Sequence, residues 1–181
     1  MIEEVELAAT PAQRQTLLLA RQEIENLRRW YAVATDKLGL VDDEAAQAEG
    51  LRIYHRIFAP EAKIEVTGPG ARPLGGTGPD AWAEVAGNAL REYEATQHLI
   101  GTQVVTFDSV TFGDDPAEIV KGDAHMSSYL QAWHAWPDSR LRLVLGSYLD
   151  TVVYRPGIGW QIDTMNLVYT SGEERALGTS P

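Results

Sequence analysis

Cysteine is absent from the chain. That removes disulfides, thiolate metal sites and cysteine nucleophiles together. Basic residues are scarce as well: 15 Lys and Arg stand against 26 Asp and Glu, for a formal charge of -11. An acidic excess of this size repels phosphate backbones and anionic lipid, so neither nucleic acid nor a membrane surface is an expected partner. No apolar run approaches the ~20 residues that span a bilayer. The opening Met-Ile-Glu-Glu-Val-Glu lacks the basic flank and apolar centre of a secretion signal, so a cytoplasmic location is expected. HExxH does not occur and the four histidines are scattered, which leaves no expectation of a catalytic metal. A GxSxG elbow is missing too, and the glycine-rich stretch Thr67 to Gly78 lacks GxxxxGK[ST] and GxGxxG. It reads as a loop or weak hairpin, and no cofactor is expected.

What is present fits one globular α+β domain. With 181 residues, 44% of them hydrophobic, the chain suffices for a sizeable core. We expect an N-terminal extension over 1–9, the domain over 10–170, and a small, polar, poorly ordered tail over 171–181. Thr10-Pro11 reads as an N-cap followed by proline at the first helical position, where its missing N–H costs nothing. Leu17, Ala20, Ile24, Leu27, Tyr31, Ala34 and Leu38 then recur at three- and four-residue steps, an apolar stripe along a helix ending near Gly39. A second helix carries Leu51, Tyr54, Ile57 and Phe58 and is ended by Pro60. Lys63 to Val66 alternates as a short strand, and Gly78-Pro79-Asp80 opens a third helix bearing Trp82, Val85, Ala86 and Leu90.

From Thr96 onward the pattern is strand: Thr96 to Phe107, Ala117 to Trp136, Leu141 to Tyr154 and Trp160 to Tyr169, parted by short turn clusters such as Pro137-Asp138-Ser139. Three helices followed by an antiparallel meander imply helices covering one face of a curved sheet, with a pocket between them. Alternation puts Asp123, His125, Ser127 and Tyr129 on one face of the second long strand, and Ala124, Met126, Ser128 and Leu130 on the other. The polar and aromatic row suits a ligand-facing surface, although an exposed face has the same composition. Tyr148 and Asp150 share a face of the next strand. Apolar rows such as Met126, Leu130 and Ala132 on an exposed side imply a homo-oligomer, dimer or trimer.

His98, within Thr96-Gln97-His98-Leu99-Ile100-Gly101, is the side chain with most chemical meaning. A histidine among apolar and β-branched neighbours can accept a proton in a dry pocket, or can be a core residue whose ring nitrogens are satisfied locally. Asp36 falls opposite the apolar stripe of the first helix, which by period alone makes it a solvated charge. Tyr31 lies on the stripe, its hydroxyl free to point into a pocket.

These stretches, together with Tyr31 to Asp36, Phe58-Ala59-Pro60-Glu61-Ala62, Gly146 to Asp150 and Gly159-Trp160-Gln161-Ile162, resemble the nuclear transport factor 2-like superfamily over roughly Glu23 to Tyr169. The branch is that of scytalone dehydratase, bile acid dehydratase, ketosteroid isomerase and the SnoaL-like polyketide cyclases. The resemblance implies a cone-shaped α+β barrel, three N-terminal helices packed on a curved, mainly antiparallel sheet that encloses a pocket. It also implies a general base at His98, oriented by Asp36, with Tyr31 holding a substrate oxygen. Tyr54, Asp123, His125 and Tyr148 complete the expected substrate-contacting set. The implied activity is that of a cofactor-independent dehydratase or isomerase acting on a hydrophobic, cyclic carbonyl or hydroxyl compound. The scytalone enzyme's two water-holding tyrosines align with Thr35 and Val66, which argues against that substrate. The run after Trp160, Gln161-Ile162-Asp163-Thr164-Met165, lacks the arginine that related enzymes often carry on this last strand, which argues against coenzyme A thioesters. The competing expectation is a non-catalytic binding or assembly protein, such as a dioxygenase small subunit of the same fold.

Overall fold

In the computed structural model, residues 4–176 are described. The chain forms α1 (Glu4–Ala8), α2 (Pro11–Leu38), α3 (Glu44–Ile57), β1 (Phe58–Thr67), β2 (Leu74–Thr77), α4 (Gly78–Leu90), β3 (Ala95–Phe112), β4 (Ile119–Ala135), β5 (Arg140–Arg155) and β6 (Gly159–Ala176). One six-stranded sheet has the order β2-β1-β6-β5-β4-β3. All neighbours are antiparallel except β1 and β6, which run parallel. The sheet curves without closing: its free edges are β2 and β3.

Local chemistry explains most boundaries. Thr10 and Gln13 form a reciprocal capping box at the start of α2, with Pro11 at its first position and Gly39 at its end, so orphan amides are satisfied where the helix must begin. The side chain of Asp43 accepts from the Ala46 amide and starts α3. This second helix stops at Ile57, earlier than Pro60 implies, because Phe58 already adopts an extended conformation and opens β1. Pro60 therefore sits inside a strand, where the pairing to β6 is irregular between Phe58 and Lys63 and no ladder bond is lost to it. The glycine-rich stretch after β1 closes a hairpin, with Val66 opposite Leu74. Gly78 turns that hairpin into α4 at φ +81°, where an added Cβ would lie 2.6 Å from the Pro60 carbonyl oxygen. Only glycine meets both demands.

One expectation about the edges of the chain is corrected. Residues 171–176 of the supposed tail continue β6, pairing with β5 as far as Ala176 against Arg140; the rest of that tail lies outside the described residues. The N-terminal extension contains the short α1, its first three residues also lying outside the description.

The core fills the space between α2, α3, α4 and the concave face of the sheet. Leu17, Ile24, Tyr54, Ile57, Phe58, Met126, Val152, Trp160 and Ile162 are among its fully buried members, each apolar side chain contributing roughly 1.5–3 kcal/mol on burial. Bulges in β3 between Gly101 and Val104 and between Phe107 and Ser109 bend that strand over the helices. The concave face of β4 carries Ala124, Met126, Ser128, Leu130, Ala132 and His134, all buried. This corrects the assignment of faces: Met126, Leu130 and Ala132 are core, not an exposed oligomerisation row. Large apolar groups of the outer face that are about half exposed include Leu99, Val104, Tyr129 and Leu149.

Candidate active site

The C-terminal end of α2 lies along the free edge of β3. An edge strand leaves amides without ladder partners, and Asp36 supplies the acceptor. One of its oxygens, Oδ2, accepts from the backbone N–H of His98 at 3.1 Å. The other, Oδ1, accepts from the Thr96 hydroxyl at 2.8 Å and contacts Nδ1 of the His98 ring at 2.7 Å. Asp36 is thus held by three donors, and its position off the apolar stripe follows from facing a strand edge instead of the helical core. The His98 side chain is 8% exposed against 28% for Asp36, so the carboxylate closes the solvent side and the ring points inward. With Nδ1 committed to Asp36, Nε2 is the nitrogen left for other work.

His98 forms part of the wall of a cavity of about 160 Å³. This is the size class of an apolar cavity that takes up a benzene-sized molecule. Leu74, Trp82, Leu130, Val144 and Leu167 make its sides, and Tyr31 and Tyr148 its inner end. The two tyrosine rings meet edge to face at 5.4 Å between centroids. Behind them Tyr54 stacks on Tyr31 at 5.5 Å and shares a 2.6 Å hydrogen bond with Thr35, whose hydroxyl also approaches the Tyr31 carbonyl. Burial pushes the Tyr148 and Tyr54 phenols well above their ordinary range, with Tyr31 adding to both. These hydroxyls therefore stay protonated and serve only as neutral donors or acceptors.

Four of the seven expected residues converge here: Asp36 and His98 at one side, Tyr31 and Tyr148 at the inner end. Tyr54 supports Tyr31 from behind and is not part of the cavity wall. Asp123 and His125 do not reach it. They lie on the outer face of β4, where Asp123 accepts from Ser109 at 2.9 Å and His125 pairs with Asp108 at 3.0 Å. The physical reason is the pleat: residues of their parity point away from the helices, and their polar character reflects solvent.

Two features escaped the sequence reading. His134, of the same parity as Met126 and Ala132, faces the cavity opposite Thr96, two residues from the ladder partner of His98, the two histidine rings edge to face at 5.6 Å. It is buried, its Nδ1 has no hydrogen-bond partner, and burial, reinforced by His98, holds its pKa down at about 4. The second is a completely buried ion pair beneath the tyrosines, Arg28 with Asp150. Asp150 was legible as a facemate of Tyr148, and Arg28, four residues after Ile24 and three before Tyr31, lies beside the apolar stripe of α2.

Comparison with known proteins adds the following. The sequence pattern of the SnoaL-like domain matches residues 16–166. No functionally curated protein matches the chain. Among solved structures, the hexachlorocyclohexane dehydrochlorinase LinA-type3 from Novosphingobium barchaimii LL02 superposes with a TM-score of 0.68 at 15% identity, over 93% of this chain and 99% of that one. A candidate scytalone dehydratase from Novosphingobium aromaticivorans gives 0.65 at 19% identity, over 92% and 95%. The β subunit of a candidate aromatic-ring-hydroxylating dioxygenase from the same organism gives 0.58 at 17%, over 86% and 92%. At such identities the likeness is one of fold.

Proposed function

From the premise that this chain belongs to the SnoaL-like domain family, we propose that it is a cofactor-independent lyase or isomerase, with His98 and Asp36 as its acid–base pair. The observation that carries this reading is the 2.7 Å contact of Asp36 with Nδ1 of a histidine whose ring borders an apolar cavity. A carboxylate at Nδ1 fixes the tautomer in which Nε2 is the basic nitrogen, and stabilises the imidazolium that forms when Nε2 takes a proton. The substrate is a hydrophobic, cyclic carbonyl or hydroxyl compound. Nε2 removes a proton from the carbon next to the carbonyl, and Tyr31 and Tyr148 donate hydrogen bonds to the oxygen on which charge gathers. The proton then leaves His98 in one of two ways. Given to a departing hydroxide it yields water and an alkene; given to another carbon it yields an isomer. General base catalysis supplies about 10²–10⁴-fold of the rate, with hydrogen bonds to the oxygen and positioning supplying the rest. A candidate scytalone dehydratase and a hexachlorocyclohexane dehydrochlorinase among structures of the same fold are in keeping with proton abstraction followed by loss of a leaving group.

The likeness to a dioxygenase β subunit favours a second reading, in which the same fold serves assembly and Asp36 merely caps the β3 edge. A homo-oligomer, dimer or trimer, would cover Leu99, Val104, Tyr129 and Leu149 under either reading. The two part on turnover. A panel of cyclic β-hydroxy ketones and β,γ-enones is screened by absorbance of the conjugated product, and the best substrate is taken to His98→Ala and Asp36→Asn. Loss of turnover by about 10²-fold or more in both variants, with unchanged circular dichroism, is the expected result. Turnover equal to wild type in both would overturn the acid–base reading.

A further inference from the structure

The ion pair beneath the cavity is an expensive feature. Arg28 and Asp150 are both 0% exposed, joined at 2.5 Å. Burying two charges strips both of water before their attraction repays the loss, and an apolar pair of similar volume is commonly as stable or more so. The satisfaction is also incomplete. A second guanidinium nitrogen donates to the sulfur of Met165 at 3.2 Å, and Nε has no partner. Packing alone therefore gives a poor account of this arginine.

Its position gives a better one. The guanidinium carbon lies 3.8 Å from the ring centroid of Tyr148 and 4.5 Å from that of Tyr31. These are the two rings at the inner end of the cavity. A cation against an aromatic face draws electron density from the ring and, through it, from the phenol oxygen. Asp150 lies two residues from Tyr148 on the same face of β5, and it anchors the cation there. On the Tyr148 phenol, burial and then Tyr31 act upward, and Arg28, in contact with the ring face, acts against them.

We propose that Arg28 is a positioning residue of the site: held by Asp150 against the faces of Tyr148 and Tyr31, it makes their hydroxyls stronger hydrogen-bond donors to an enolate or phenolate oxygen in the cavity. This rests on the reading of Tyr31 and Tyr148 as the oxygen-holding groups. The consequence is selectivity for ligands whose oxygen carries negative charge over neutral ones of the same shape. Such selectivity belongs to binding and needs no turnover.

The test uses 4-nitrophenol, largely ionised above neutral pH, and 4-nitroanisole, which cannot ionise, titrated against the full chain with binding read by calorimetry. Wild type is expected to prefer the phenolate. Arg28→Met/Asp150→Leu, which removes both charges together, is expected to weaken phenolate binding roughly tenfold and leave the anisole unchanged. Asp150→Asn, which keeps the guanidinium and removes the opposing anion, is expected to strengthen phenolate binding. That opposite sign separates a field from a merely structural role, and if the double variant does not fold this arm decides alone. Unchanged or weaker phenolate binding in Asp150→Asn, or equal phenolate affinity in wild type and double variant, would overturn the role of Arg28. If Tyr31→Phe/Tyr148→Phe loses phenolate affinity while the Arg28 variants do not, the tyrosines keep their role and Arg28 alone loses its own. If wild type shows no preference for the phenolate, both fall.

Discussion

His134 offers a perturbation whose size follows from its surroundings. Its ring is buried on the concave face of β4, edge to face with His98 and tilted against Tyr93. Asp36 and Arg142 are the other charged groups that act on it. Burial first, and the adjacent His98 second, lower its pKa from 6.5 to about 4. In the unfolded chain the same ring binds a proton near its ordinary value. The unfolded state therefore holds more protons than the folded state between these limits, and stability must fall as pH drops from about 6.5 toward 4. At roughly 1.4 kcal/mol per unit of separation the full loss is about 3 kcal/mol, and close to 2.5 kcal/mol of it is already felt at about pH 4.5. For a chain of this length that is a drop in melting temperature on the order of 5–10 °C. Replacing His134 by Phe removes the titration and fills similar volume. Urea unfolding of wild type and His134→Phe at pH 7.5 and pH 4.5 isolates the contribution, because all other groups are shared. The variant should gain about 2.5 kcal/mol relative to wild type between the two conditions. Parallel pH profiles would refute the claim that the folded protein keeps this imidazole neutral.

Two further outcomes follow from contacts already described. With histidine labelled in 15N, the tautomers of the four rings can be read by NMR. His98 should be the Nδ1–H form, with Nε2 unprotonated, and should lose that preference in Asp36→Asn; an Nε2–H tautomer in wild type would contradict the arrangement. In the core, a Cβ on Gly122 would lie 2.5 Å from the Trp160 ring, which is 1% exposed. Gly122→Ala should therefore cost about 1–3 kcal/mol in urea unfolding, and a neutral result would mean that Trp160 moves freely.

Much of the architecture was legible because local signals and global fold agree. Thr10-Pro11 and Gly39 bracket α2 within a residue, since capping chemistry is local. The turn clusters parted the long strands correctly for the same reason. Which face of β4 points inward was harder. Alternation defines two faces without saying which is dry, and the polar row of Asp123 and His125 drew attention away from the apolar row that makes the core. Ala124, Met126 and Leu130 were the better guide, because hydrophobic-in alternation is the usual rule for a sheet covered on one side, and following them would have led to His134. Asp36 could not be placed by helical period at all. Its partner is an edge strand some 60 residues later, and only resemblance pointed there. Arg28 stands at helical spacing from Ile24 and Tyr31, but its charge masked that period, because a buried charge is specified by its partner, here Asp150 on β5.

The central claim is that His98 moves a proton to and from a carbon atom of the bound ligand. Its most direct test is exchange of the hydrogen next to the carbonyl into D2O, followed by proton NMR on the best ligand from the cyclic ketone panel, with wild type and His98→Gln side by side. The account predicts that wild type places deuterium at that carbon and that His98→Gln does so about 10²–10⁴-fold more slowly. Equal exchange rates in the two proteins would contradict it.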